Sequence, residues 1–190
     1  MLAAKKFEAL QGEVPVDSRW HHPKDLHEII TLLTTGSSGE WLREYVVFSG
    51  DRGLADVVAQ RDAHSHYAGS VWRFVHSLYD YARLKVAGEI SENFEMYLKD
   101  DEIDGHKVSL KRYSAHESDT VRGREELRRV RTFPVPVSVD PNGSTFMEAH
   151  LRIGSGDGFS PRLYVLDNVE GDGRIYIGYI GRHPRTGKKT

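Results

Sequence analysis

The stretch from Ser144 to His183 interleaves proton carriers, arginines and aromatic rings at the spacing of β-strands. Glu148, His150 and Arg152 alternate with Ala149, Leu151 and Ile153, and a strand sends successive side chains to opposite faces. Arg162 and Tyr164 alternate with Leu163 and Val165, and Arg174 and Tyr176 with Ile175 and Ile177. If the apolar sets, Met147 included, all face a core, the other face of one sheet collects seven side chains. These are Glu148, His150, Arg152, Arg162, Tyr164, Arg174 and Tyr176, with Arg182 and His183 just past the last strand. Arginine holds phosphate and stabilises developing negative charge, while His, Glu or Tyr moves protons. Aromatic rings offer platforms for bases. The candidate catalytic set is therefore Glu148, His150, Arg152, Arg162, Tyr164 and His183, and the candidate nucleic-acid contacts are Arg174, Tyr176 and Arg182. A half-buried antiparallel sheet also carries a polar face when it does no chemistry, so alternation alone leaves both readings open.

The run HLRIG…PRLYVLDNVEGDGRIYIGYIGRH, residues 150–183, resembles the C-terminal sheet of the RelE/ParE-type small toxins. Arg152, Arg162, Tyr164, Arg182 and His183 stand at places comparable to that family's basic and aromatic residues. The resemblance covers roughly residues 148–183 and implies RNA cleavage promoted by such side chains without a metal. The chain departs from it by carrying about 100 extra N-terminal residues. It also lacks a clear strand and helical hairpin directly ahead of the sheet.

A second pattern lies in the first half. Arg61-Asp62-Ala63-His64-Ser65-His66 is similar to the Arg, polar residue, three others, His motif of the helical HEPN ribonucleases. That resemblance implies Arg61 and His66 flanking a scissile phosphodiester, with Asp62 as polar support. A histidine on the polar face at a helix start explains the same residues without chemistry.

Other apparent motifs carry less. Gly154-Ser155-Gly156-Asp157-Gly158 lacks the Gly-Lys-Ser/Thr ending of a phosphate loop and reads as a hairpin turn. Gly187-Lys188-Lys189-Thr190 closes the sequence and opens no helix. His21 and His22, or His64 and His66, have no HExxH arrangement or carboxylate-rich partner, so no metal is expected, and no cofactor fingerprint is present. His116-Glu117-Ser118-Asp119 forms a polar run that serves equally as a capping loop. With no cysteine, a disulfide framework, a thiolate metal site and a thiol nucleophile are all excluded. No apolar run follows Met1-Leu2-Ala3-Ala4-Lys5-Lys6, and no stretch approaches the roughly 20 apolar residues of a membrane span. The expected address is cytoplasmic, without membrane contact.

The elements that must position these residues divide the chain. Residues 1–104 carry 11 Lys+Arg against 18 Asp+Glu, and residues 105–190 carry 15 against 10, giving nets of −7 and +5. In the acidic half, Pro23 suits the first turn of a helix holding Leu26, Ile29, Ile30, Leu32 and Leu33. Ser37 and Glu40 have capping-box spacing ahead of Trp41, Leu42, Tyr45 and Val46. Asp51 suits the cap of a short helix with Leu54, Val57 and Val58. Tyr67, Val71, Phe74, Val75, Leu78, Tyr81, Ala82 and Lys85 recur at helical spacing, predicting one long helix over 64–86, stopped by Gly88. Ser91 starts another through Phe94, Tyr97 and Leu98.

In the basic half, His106–Tyr113 reads as a strand and Arg122–Arg131 as a short helix. Phe133–Val137, with Pro134 and Pro136, must be an extended edge segment. Strands over Ser144–Ile153, Arg162–Asp167 and Arg174–Ile180 follow, separated by Asn142-Gly143, Asp157-Gly158 and Asp172-Gly173 turns. The tail from Arg182 is expected to be mobile.

The fold class expected is α+β, a helical acidic N-terminal half (1–104) packed with a basic antiparallel β-sheet half (105–190), as two subdomains or one compact unit. The function expected is an RNA-directed protein of toxin or defence type, a metal-independent ribonuclease. RNA or the ribosome, and an antitoxin or defence-complex subunit, are the partners such a protein would have. The alternative is a non-catalytic interaction or regulatory module binding nucleic acid, a nucleotide or a protein. A small-molecule enzyme using His150 and Glu148 ranks third.

Overall fold

The computed structural model describes residues 19–154 and 158–185. Its architecture is α+β. Five strands form one sheet: β1 (Val46–Phe48), β2 (Tyr113–Ser114), β5 (His150–Arg152), β6 (Pro161–Asn168) and β7 (Arg174–Arg182). The order is β1-β7-β6-β5-β2. Every pair is antiparallel except β1 with β7, which is parallel. β3 (Thr132–Pro134) and β4 (Ser144–Phe146) form a separate antiparallel ribbon.

The helices cover one face of this sheet. They are α1 (Leu26–Leu32), α2 (Glu40–Arg43), α3 (Arg52–Gln60), α4 (His66–Val86) and α5 (Phe94–Lys99). α4 is the expected long helix. Its Val71, Phe74, Val75, Leu78 and Tyr81 are buried with Leu151, Leu163, Val165, Ile175, Ile177 and Ile180 of the sheet. Each such side chain taken out of water contributes about 1.5–3 kcal/mol. The Tyr81 hydroxyl donates to Asp167 Oδ2 at 2.6 Å, pinning α4 to β6. Gly88, at φ +71°, turns the chain out of the helix as expected.

The opposite face is not open. The β3–β4 ribbon lies against it, and Phe133, Val135, Met147, Tyr164 and Tyr176 form a second buried cluster there. Two short helices, α6 (Asp119–Arg122) and α7 (Glu125–Arg129), lead into the ribbon, and α8 (Val169–Asp172) joins β6 to β7. A bulge sets the arrangement of β7. Tyr164 pairs with Tyr179 but Val165 pairs with Ile177, so Gly178 is the extra residue. Tyr176 and Tyr179 thereby both face the ribbon, while Ile177 and Ile180 both face the helices. A Cβ at Gly178 would run into the Met147 side chain and approach Phe133 Cβ to 2.8 Å.

Several local expectations are corrected. Asp25, not Pro23, stands at the start of α1, accepting from the Glu28 amide. Ser37–Gly39 is a 3-10 turn with no side-chain cap, and the chain after α2 becomes β1, so Val46 is a strand residue. Asp51 does cap α3, yet Ala55 and Val58 are its buried residues while Leu54 and Val57 are exposed. Asn93, not Ser91, caps α5. Residues 106–113 are mostly irregular, with a 3-10 turn at Leu110–Arg112 before β2. The long strand expected from Ser144 to Ile153 is broken into β4 and β5. That break undoes the parity placing Met147 with Leu151: Met147 packs with Tyr164 on the ribbon side. The tail past Arg185, the first six residues and positions 155–157 of the glycine-rich turn lie outside the described residues. Among the described residues no helix is long and apolar enough to cross a membrane.

Candidate functional site

Strand register brings four of the alternating polar residues together. His150 of β5 pairs with Tyr164 of β6, and Arg152 pairs with Arg162, with Leu151 opposite Leu163 on the helix side. The His150 and Tyr164 rings stack with centroids 4.8 Å apart. His183, just beyond β7, donates its backbone N–H to Ser160 O at 3.0 Å. Arg162 Nη1 donates to the same carbonyl at 3.2 Å and to Pro161 O at 3.1 Å. The start of β6 thus holds the Arg162 guanidinium beside the His183 backbone.

Behind these groups lies a buried ionic network. Glu117 follows β2, and Arg131, fully buried, links α7 to β3. Glu117 Oε1 accepts from Arg131 Nε at 2.6 Å and from the Tyr164 hydroxyl at 2.6 Å. Arg131 also donates to the carbonyls of Leu127 (3.0 Å), Arg185 (3.0 Å) and Pro184 (3.4 Å). Four of its five N–H groups donate to the protein and the side chain is fully buried, so Arg131 is a strut rather than a substrate contact. It also gives the segment after β7 a fixed position up to Arg185, counter to the mobility expected from Arg182 onward.

The electrostatics follow from this packing. Burial alone would raise the Glu117 carboxyl, but the hydrogen bonds from Tyr164 and Arg131 outweigh it and hold the group below its ordinary value. Burial, with the Glu117 hydrogen bond, pushes the Tyr164 hydroxyl well up, so it stays protonated. His150 is lowered by burial, against the opposing pull of the Glu148 carbonyl and Glu117. Its Nδ1 lies 2.8 Å from Glu148 O. A carbonyl only accepts, so Nδ1 carries the proton and Nε2 of the neutral ring has the free lone pair. His183 is lowered to about 4 by burial and by the positive charges of Arg162 and Arg131. Burial and the Arg152 charge lower Arg162 in turn. Two neutral imidazoles and a half-buried guanidinium therefore line one end of the sheet, with an exposed arginine, Arg152, beside them.

The remaining expected residues fall elsewhere. The Glu148 side chain sits 3.8 Å from Arg122 Nε, and its backbone carbonyl is what touches His150. Arg174 and Arg182 stand at opposite ends of β7, about 25 Å apart at strand rise. Arg174 Nε is tied to Arg43 O at 3.2 Å. Tyr176 is buried and donates to Asp172 Oδ2 at 2.5 Å. Neither Tyr164 nor Tyr176 is open for base stacking, because the ribbon covers both. Arg182 is exposed, its carbonyl accepting from the Tyr179 hydroxyl.

Arg61 and His66 line a separate cavity of about 530 Å³ on the helical side, with His64, Tyr67, Ser70, Arg73, Arg112, Ile153 and Gly154. Asp62 is a helix cap: its two carboxylate oxygens accept from the Tyr67 and Ala68 amides at 2.9 and 2.7 Å. Glu117 and Arg131 escaped sequence reasoning as a pair, since fourteen positions separate them and each sits in a run of charged residues. Among the described residues no group of His, Asp and Glu side chains is placed to hold a metal ion. Comparisons with protein-family models, with curated proteins and with solved structures found no match for this chain.

Proposed function

We propose that the chain is an RNA-directed protein of toxin or defence type that cleaves single-stranded RNA without a metal ion, at the end of the sheet that carries His150, Arg162 and His183. The observation that carries this reading is the β5–β6 register, which sets His150 and Arg152 against Tyr164 and Arg162 on one face. Transfer proceeds within the RNA. The 2′-oxygen attacks the adjacent phosphorus, its proton passes to His150 Nε2, and the P–O5′ bond breaks as O5′ takes a proton from His183. A 2′,3′-cyclic phosphate and a 5′-hydroxyl result. Arg162 offsets the charge gathering on the phosphoryl oxygens, and Arg152 holds the neighbouring strand. An anion bound beside His183 counters the Arg162 and Arg131 charges that depress it, and so favours its protonated, donating form.

Glu117 and Arg131 act at one remove. They fix the Tyr164 ring on which His150 stacks. Because both imidazoles sit below their ordinary value of 6.5, kcat/KM should peak in acidic solution below that value and already fall as pH rises toward neutrality.

The test is single-turnover cleavage of an end-labelled RNA oligonucleotide in chelator, with wild type, His150→Ala and Arg162→Ala compared at matched fold by circular dichroism. Loss of about 10²–10⁴-fold in His150→Ala is the size of a missing general base. Equal rates in wild type and both variants overturn the reading. Salt-sensitive RNA binding with no cleavage by the wild type would make the chain the non-catalytic module instead.

A further inference from the structure

The helical-side cavity holds charge that the fold leaves uncompensated. Three arginines reach it from three elements: Arg61 from the end of α3, Arg73 from α4 and Arg112 from the turn before β2. Among the described residues none of the three is in an ion pair; their partners are neutral. Arg61 lies over the Phe159 ring, 4.7 Å from its centroid. Arg73 and Arg112 both point a nitrogen at the same hydroxyl, Ser70 Oγ, each at 3.4 Å. Arg112 also donates to Ile153 O at 3.2 Å. Asp62, the carboxylate of this wall, is taken up by the α4 amides. Burial and the neighbouring charges of Arg73 and Arg152 lower Arg112, as expected where like charges converge without a counter-ion.

The cavity is also shaped by sequence. Gly154 closes on the Tyr67 ring so tightly that a Cβ there would strike it. Ser70, itself buried, offers a hydroxyl between two guanidinium groups. Paired guanidinium groups, a hydroxyl and a flanking aromatic ring match the oxygens of a phosphate and the flat edge of a base.

We infer that this cavity is a second anion site, which binds the phosphate group of a nucleotide through Arg73, Arg112 and Ser70. The phosphate belongs either to a free mononucleotide or to an RNA strand. Arg152 supplies a route for the strand: it pairs with Arg162 across β5 and β6, and it precedes Ile153, whose carbonyl accepts from Arg112. The inference does not depend on RNA cleavage at His150.

The experiment is a titration of the ¹⁵N-labelled full chain at low salt with AMP, and separately with a fully 2′-O-methylated RNA heptamer that has no attacking hydroxyl. The expected result is saturable movement of the Arg73 and Arg112 side-chain N–H signals and of the Ser70 and Gly154 amides. Arg73→Gln should raise the dissociation constant at least tenfold. Arg73 is exposed on α4, so this variant retains the fold, which its own spectrum reports; Arg112→Gln is the second variant. Movement with AMP alone assigns a free nucleotide, and movement of cavity and His150 signals together with the heptamer assigns a continuous strand. Cavity signals that stay still with both probes, or dissociation constants unchanged in both variants, overturn the inference. Failure of the cleavage reading alone leaves these signals moving.

Discussion

Replacing Arg131 with methionine removes the guanidinium while keeping an apolar stem of similar length. Glu117, 7 % exposed, then keeps its charge with only the Tyr164 hydroxyl at hydrogen-bond distance, and the carbonyls of Leu127, Pro184 and Arg185 lose their donor. Breaking a buried pair from one side costs about 3–5 kcal/mol, since the surviving charge is uncompensated. In a chain of this size that lowers the melting temperature by roughly 6–20 °C. The pH dependence fixes the cause. In the wild type the Glu117 carboxyl is held below its ordinary value, so its contribution is present at neutral pH and lost only as pH falls through that lowered value. Without the guanidinium, burial pushes the carboxyl up and it protonates earlier. The gap between the two proteins is therefore widest near pH 7 and narrows toward pH 4. Adding Glu117→Gln removes the charge, keeps an acceptor for Tyr164, and should restore part of the loss. Urea unfolding at several pH values measures all three proteins. A loss under about 1 kcal/mol, or a gap constant from pH 7 to 4, would refute the assignment of Glu117 and Arg131 as the strut of the site.

Three further outcomes follow from the packing. Leu78→Ala, at a fully enclosed position on α4, should cost about 2–4 kcal/mol in the same unfolding assay, and a cost near zero would place Leu78 at the surface. Gly178→Ala puts a methyl against Met147 and Phe133 and should cost about 1–3 kcal/mol; an unchanged midpoint would argue against the bulge. His183 binds its proton at about 4 in the fold against 6.5 as the ordinary value, so the unfolded chain takes up the extra proton between those limits. Stability should drop as pH falls from about 6.5 to 4, by about 1–2 kcal/mol given the ring's partial exposure. His183→Asn should flatten that limb, and an identical pH profile would count against it.

What the sequence made legible were the features written in short-range periodicity. Tyr67 to Lys85 recurs on one helical face, and α4 stands where that spacing put it. Leu163, Val165, Ile175 and Ile177 alternate, and they do face the helices. The same alternation put His150 and Arg152 on one face with Arg162 and Tyr164, but which residue pairs with which was not legible, since a shift by two keeps every face. Alternation failed where a strand broke or bulged: the irregular break at residues 147–149 between β4 and β5 reversed Met147, and Gly178 put Tyr176 and Tyr179 on one side. It also says nothing about what lies over a face. The β3–β4 ribbon turned two expected stacking rings, Tyr164 and Tyr176, into core residues. The parallel pairing of β1 with β7 joins residues about 130 positions apart, a contact no local pattern encodes. Glu117 with Arg131 was hidden for the same reason. So was Arg112, which comes from the basic half to line one cavity with Arg61 and Arg73 of the acidic half.

The central claim is that His150 drives attack by the RNA's own 2′-hydroxyl. It is tested most directly with one oligonucleotide made twice, all-ribose and with a single 2′-deoxy sugar at the cleaved position, incubated with the wild type in chelator at pH 5.5. The account predicts cleavage of the first with a 2′,3′-cyclic phosphate end visible by mass spectrometry, no cleavage of the second, and loss of both signals in His150→Ala. Cleavage of the 2′-deoxy strand at an undiminished rate, or a product ending in a 3′-hydroxyl, would contradict it.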